Sequence, residues 1–282
     1  IMTGPEAGML IGDPIAASTR SGGSAQRRSI FPTFHTTNGG RTWKRNDNGI
    51  LAAQTDQQGE PKESIFAASN SSMILLPYLT LFVTGGAVSA LHYRQYTLEH
   101  VNGLCDGRSI CEMATETPLH LREGPSAGGF SLAANWSLDP ASMDAHASQR
   151  RLRTRVPGPH VVVIVGGDYT QPDEQKGTAS VCTPTKYGTS TIFSCAAATT
   201  LPHGYRSAVA YDDATDSWIT VGPNGTDIST DNGRNWRALE SSAAFNDARD
   251  ADQHWNALSL PYAVGPRGRI GKLRPSALQS AK

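Results

Sequence analysis

The chain has 282 residues, enough for one large all-β domain with a substantial core. Its 25 Lys+Arg balance 25 Asp+Glu, which excludes a general electrostatic attraction to nucleic acid or to an anionic membrane. No apolar run approaches the roughly 20 residues of a membrane-spanning helix; the longest candidate, residues 73–83, contains Pro77 and Thr80. The chain opens at Ile1 in what reads as mid-domain sequence, so a fragment is expected, and the lack of a leader carries no information on compartment.

In chain order, Met9-Leu10-Ile11 is a short apolar strand stopped by Gly12-Asp13-Pro14. Residues 29–36 alternate loosely and run into Thr36-Thr37-Asn38-Gly39-Gly40-Arg41-Thr42-Trp43. A near-copy stands at Ser229-Thr230-Asp231-Asn232-Gly233-Arg234-Asn235-Trp236. Both read as latched turns of the form Ser/Thr-x-Asp/Asn-x-Gly-x-x-Trp. Asp231, like Asn38, can accept hydrogen bonds from nearby backbone N–H groups. Gly233, like Gly40, can take the positive φ of a tight reversal. Trp236, like Trp43, can fold its ring over the turn, its indole N–H finding a carbonyl.

Residues 46–64 are rich in Gln, Asp, Glu and Lys and read as a solvated loop that carries Glu63. Short apolar runs follow at 65–70, 73–76, 79–87 and 88–93, bounded by Asn-Ser, Pro and Gly-Gly, which are strand signals. Residues 103–110 align with the latched turn, but Cys105 stands in the Asp place and Ile110 in the Trp place. Residues 128–134 form a strand, and 137–159 an insertion with Arg150, Arg151, Arg153 and Arg155 clustered. Residues 160–169 are the clearest buried strand. Strands at 205–211 and 218–222 lead into the second latched turn. Runs at 255–259, 262–266 and 269–273 close the series, and 274–282 read as a frayed tail. No amphipathic helix is expected.

The anchor glycines of the recurring unit are Gly12, Gly85, Gly166, Gly222 and Gly265, and their shortest interval is 43 residues. That matches the ~40–50 residues of a four-stranded propeller blade, with the loops at 46–64 and 137–159 absorbing the longer intervals. The expected fold is therefore all-β: a β-propeller of four-stranded antiparallel blades, about five of them visible, over residues 1–273.

The two latched turns resemble Asp-boxes, the hairpin signature of sialidase-like and BNR-repeat β-propellers. Further segments extend the resemblance to bacterial propellers similar to photosystem II stability/assembly factors, whose members carry labels such as oxidoreductase or glycosyl hydrolase. They include Ile11-Gly12-Asp13-Pro14, Val83-Thr84-Gly85-Gly86-Ala87, Val165-Gly166-Gly167-Asp168-Tyr169 and Gly204-Tyr205-Arg206-Ser207-Ala208-Val209. The resemblance implies a seven-bladed ring with one or two blades upstream of Ile1, and an extracytoplasmic binding or assembly scaffold.

A sialidase would need an arginine triad and a Tyr–Glu pair, and the Arg-Ile-Pro motif of that family is absent: Arg269-Ile270 is followed by Gly271. A two-carboxylate glycosidase is the rival reading, with Asp13, Glu63 and Asp168 as candidates; Asp13 and Asp168 read equally as turn caps. Tyr169, Tyr205 and Arg206 are the binding candidates, because each pairs an aromatic with a charge at a strand end. Four cysteines, Cys105, Cys111, Cys182 and Cys195, fit two short-loop disulfides in an oxidising compartment, or free buried thiols. No CxxC or HxxxH spacing suggests a metal, and Val165-Gly166-Gly167-Asp168 lacks the following helix of a dinucleotide site. No cofactor or metal is expected. The expected partner is a protein or a glycan, and the expected state a monomer.

Overall fold

The computed structural model describes residues 1–2, 4–21, 24–45, 51–66, 71–76, 79–97, 111–135, 159–187, 190–241 and 247–279. The fold is all-β, built from antiparallel sheets whose later members follow chain order and whose earlier strands interleave. Strands β1 (Gly8–Ile11), β4 (Thr33–Thr36) and β5 (Lys44–Arg45) form the first sheet. The hairpin β2 (Ile15–Ser21) and β3 (Ser24–Phe31) pairs with β6 (Leu51–Ala52). A four-stranded sheet holds β8 (Met73–Leu76), β9 (Leu79–Val83), β11 (Ala90–Thr97) and β12 (Cys111–Pro118).

The central sheet has six strands. Four are consecutive: β13 (Gly124–Asn135), β14 (Val161–Asp168), β15 (Ala179–Tyr187) and β16 (Ser190–Ala197). Two short strands, β7 (Glu63–Ser64) and β10 (Gly85–Gly86), extend it beyond β13. The next sheet is β17 (Ala208–Asp212), β18 (Ser217–Gly222), β19 (Gly225–Ser229) and β20 (Arg237–Ala238). The last is β21 (Ala257–Ser259), β22 (Tyr262–Val264) and β23 (Ile270–Lys272).

The sheets pack face to face, and β14 shows why its sequence is a continuous β-branched run. A strand covered on both faces has no solvent side and needs no polar alternation. Val162 and Ile164 point into a core shared with Leu81, Val83, Leu91 and Leu132. Val161, Val163 and Val165 point the other way, into a core with Val209, Trp218 and Trp236. Every residue of β14 is buried. Phe31, Leu51, Met73 and Phe82 join the early strands to the β8–β12 sheet. Val221 and Trp255 join the β17–β20 sheet to the last one.

The strands of the central sheet approach closely at glycines. Gly85 opposes Gly128, and Gly129 opposes Gly166. A Cβ on Gly166 would stand 1.8 Å from the carbonyl oxygen of Gly128, so no larger residue fits there without moving the backbone. A Cβ on Gly85 would meet the Phe66 ring at 2.4 Å.

The two latched turns join β4 to β5 and β19 to β20. In the second, the Gly233 amide donates to Ser229 Oγ (3.1 Å), the Asn235 amide donates to Asp231 Oδ1 (2.9 Å), and Gly233 has φ 75°. The Trp236 indole N–H donates to the Gly233 carbonyl at 2.9 Å, and its ring is buried. In the first, the Gly40 amide donates to Thr36 Oγ1 (3.0 Å), and the Thr42 amide donates to Asn38 Oδ1 (2.9 Å). There Trp43 lies against Gly40 and is only half-buried.

Two expectations are corrected, and one open alternative is resolved. The stretch 46–64 is not a solvated loop throughout: Leu51 is buried in a core and Glu63 is a strand residue, 1% exposed. The tail is not wholly frayed, because Pro275–Gln279 forms a short helix, α1, whose Leu278 packs on Ile219 and Ile228. Cys182 and Cys195 are directly opposed on β15 and β16 and are disulfide-bonded, which removes the free-thiol reading for this pair. Cys105, the side chain of Cys111, the degenerate turn at 103–110 and Arg150, Arg151, Arg153 and Arg155 lie outside the described residues.

Candidate functional site

The central sheet and the sheet after it bring one aromatic group together. Phe66 follows β7, Phe130 lies in β13, Tyr169 follows β14, and Tyr205 precedes β17. The Phe66 and Phe130 rings stack at 4.3 Å, and Tyr205 meets Phe130 edge-on at 4.9 Å. Tyr169 stands edge-on above Phe66 and Phe130, at 6.4 and 6.1 Å. Gly85 makes the group possible: its missing side chain is the space that Phe66 fills. Tyr169 is 51% exposed, whereas Tyr205 is buried and burial holds its phenol in the neutral form, its pKa well above the usual tyrosine value.

The carboxylates around this group are held in local hydrogen bonds. Asp168 Oδ1 accepts from Ser126 Oγ (2.8 Å), the Thr170 amide (2.9 Å) and Thr170 Oγ1 (2.6 Å). Arg122 Nε lies 3.6 Å from its other oxygen. Burial raises the Asp168 pKa, but the bonds from Thr170 and Ser126 and the Arg122 charge outweigh it and leave it below the ordinary aspartate value. A carboxylate held ionised in this way suits a turn cap and not a general acid. Asp13 Oδ1 accepts the Ile65 amide at 2.7 Å and so fixes the backbone next to Phe66.

Arg206 is a correction to the binding reading. It is fully buried. Nε donates to Asp227 Oδ2 (2.6 Å), and Nη2 donates to the same oxygen. Nη1 donates to the Tyr205 carbonyl (2.8 Å) and to Asn224 Oδ1 (2.6 Å). With four of its donors on these internal acceptors and Nη2 also 2.9 Å from His203 Nδ1, buried Arg206 ties the Tyr205 loop to β19 and is not presented to a ligand. Half-buried His203 completes the network, its Nδ1 2.7 Å from Asp227 Oδ1. The hydrogen bond with Asp227 outweighs burial and the Arg206 charge and raises the His203 pKa.

Glu63 does not join the aromatic group. Its Oε1 accepts the Gln54 amide (2.6 Å), and its Oε2 accepts Thr84 Oγ1 (2.6 Å) and lies 2.5 Å from His92 Nε2. Burial raises the Glu63 pKa, and the hydrogen bonds with His92, Thr84 and the Gln54 amide more than reverse it. His92 and Asp227 went unnoticed in the sequence because each sits inside a strand run with no motif around it. Alternation in β11 carried the available signal: Leu91 and Tyr93 face one core, which turns His92 to the opposite face.

Scans of this chain against protein-family models, curated proteins and solved structures returned no match.

Proposed function

We propose that this chain is a BNR-repeat β-propeller of the sialidase-like kind, acting outside the cytoplasm as a binding or assembly scaffold, with the aromatic group around Tyr169 as its contact face. The propeller reading is supported by antiparallel sheets that pack face to face, the later ones in chain order, and by the Ser/Thr-x-Asp/Asn-x-Gly-x-x-Trp turn within each of two sheets. An extracytoplasmic setting is supported by the Cys182–Cys195 disulfide, a bond that persists in oxidising compartments.

One observation carries the binding reading over the glycosidase. On this face the exposed group is an aromatic ring, while Asp13 and Asp168 are spent on backbone and hydroxyl donors. An exposed tyrosine over a rigid aromatic base offers apolar area with a polar tip, which suits a sugar ring or a protein side chain. The test is a glycan array probed with the full chain and with Tyr169→Ala, alongside fluorogenic glycoside substrates. The expected result is glycan retention that Tyr169→Ala weakens about tenfold or more, without fluorophore release. Release that disappears in Asp168→Asn would overturn the scaffold reading in favour of a glycosidase. Glycan retention unchanged in Tyr169→Ala would refute this face.

A further inference from the structure

The contacts of Glu63 and His92 leave one ring nitrogen unexplained. Glu63 sits on β7 of the central sheet, and His92 and Glu116 are directly opposed on β11 and β12 of the next sheet. The His92 ring is held on three sides: Phe82 stacks on it at 4.7 Å, Phe31 meets it edge-on at 5.2 Å, and Glu63 bonds Nε2. Its side chain is 5% exposed. Nδ1, in contrast, makes no hydrogen bond among the described residues, and Glu116 Oε2 stands 3.7 Å from it. That gap is too long for a hydrogen bond. It is the right size for a cation bonded to both atoms: at ~2.1 Å from each, the nitrogen–metal–oxygen angle is about 120°.

We propose that His92 Nδ1 and the Glu116 carboxylate bind a divalent first-row transition metal, with Glu63 as the outer carboxylate that orients the imidazole. The carboxylates of Glu63 and Glu116 and one ring nitrogen of His92 lie within 4.8 Å of one another. Glu63 accepts the Nε2 proton and thereby fixes the tautomer that leaves the Nδ1 lone pair free, the carboxylate–histidine–metal relay of many metal sites. The charge balance also favours a cation. Two carboxylates surround one imidazole. Glu116 is partly exposed, so the gap opens to solvent and water completes the coordination. Imidazole with carboxylate suits Zn²⁺, Mn²⁺ or Fe²⁺ and disfavours soft Cu⁺. A bound ion would tie β11 to β12, with Glu63 on β7 hydrogen-bonded to the same imidazole.

The test is titration of the full chain with Zn²⁺ by calorimetry, and with Co²⁺ by visible absorption, which reports nitrogen and oxygen ligation directly. One equivalent of Zn²⁺ is expected to bind. Glu116→Ala removes a partly exposed ligand and is expected to weaken binding at least tenfold with an unchanged circular-dichroism spectrum and unfolding midpoint. Glu63→Gln keeps the shape of the outer partner and is expected to weaken binding by about 10- to 100-fold. A wild-type chain that takes up no Zn²⁺, or a Glu116→Ala chain that binds as wild type does, overturns the proposal.

Discussion

Truncation of Trp236 to alanine separates what the latched turn contributes from what the inter-sheet core contributes. Trp236 is 4% exposed and packs in the core with Val163, Val181 and Trp218, while its N–H bonds the Gly233 carbonyl. Burying ~200 Å² of an indole at ~25 cal/mol per Å² is worth about 5 kcal/mol, within reach of the 3–5 kcal/mol usual for aromatic-to-alanine changes in cores. The lost hydrogen bond adds about 1 kcal/mol. Together these come to about 6 kcal/mol, an upper bound because the unfolded chain already buries part of its apolar surface, so Trp236→Ala is expected to lower the unfolding free energy by about 4 kcal/mol, and Trp236→Phe by about 1–2 kcal/mol. Trp43 closes a turn of the same pattern, but it is half-buried and belongs to none of the described cores. Trp43→Ala is expected to cost less than half as much. Urea unfolding followed by far-ultraviolet circular dichroism measures all three. Equal costs for Trp43→Ala and Trp236→Ala would refute the argument, because the turn itself, and not burial between sheets, would then be the source of stability.

Two further outcomes follow from the site. The hydrogen bond with Asp227 raises the His203 pKa in the folded state, so the native chain binds that proton more tightly than the unfolded chain does. This contribution is complete below the ordinary histidine value of about 6.5 and is lost as pH rises through the higher folded value. Stability measured from pH 6 to 8 should therefore fall more steeply in wild type than in His203→Gln, and equal slopes would exclude the coupling. The Cys182–Cys195 bridge closes a loop with a sequence separation of 13. Replacing both cysteines by alanine should lower the unfolding free energy by about 2–3 kcal/mol; an unchanged urea midpoint would contradict it.

What the sequence made legible was local. The apolar run at 161–165 announced a buried strand, and β14 is that strand, covered on both faces. The Ser-x-Asp-x-Gly-x-x-Trp spacing announced a turn whose latching bonds are short-range, so those hydrogen bonds were readable residue by residue. Long-range pairings were not. Glu63 stands in a polar stretch, and only its neighbours across two sheets, His92 and Thr84, explain its burial. Arg206 has the same history: beside Tyr205 it looked like a ligand contact, but Asp227, 21 residues away, claims it. The two-residue strands β7 and β10 are too short to leave a periodic signal, although they extend the central sheet past β13. Leu278 gave a weak cue for α1, since one apolar residue in a polar tail does not fix a helix.

The order of the sheets along the chain also bears on how the molecule folds. Most strand partners are close in sequence, and the larger cores each join sheets that adjoin along the chain. Stability in such an arrangement is nearly a sum of sheet terms and nearest-neighbour interfaces, so structure can spread outward from one nucleus. With β14 covered on both sides, the central sheet is the natural nucleus, and its amides should exchange with solvent only through global opening. The outermost strands, with exposed Leu10 at one end and Ile270 at the other, should open first. Protection then grades from the middle of the chain toward its ends, and a core substitution in β14 slows folding where one in β23 chiefly hastens unfolding.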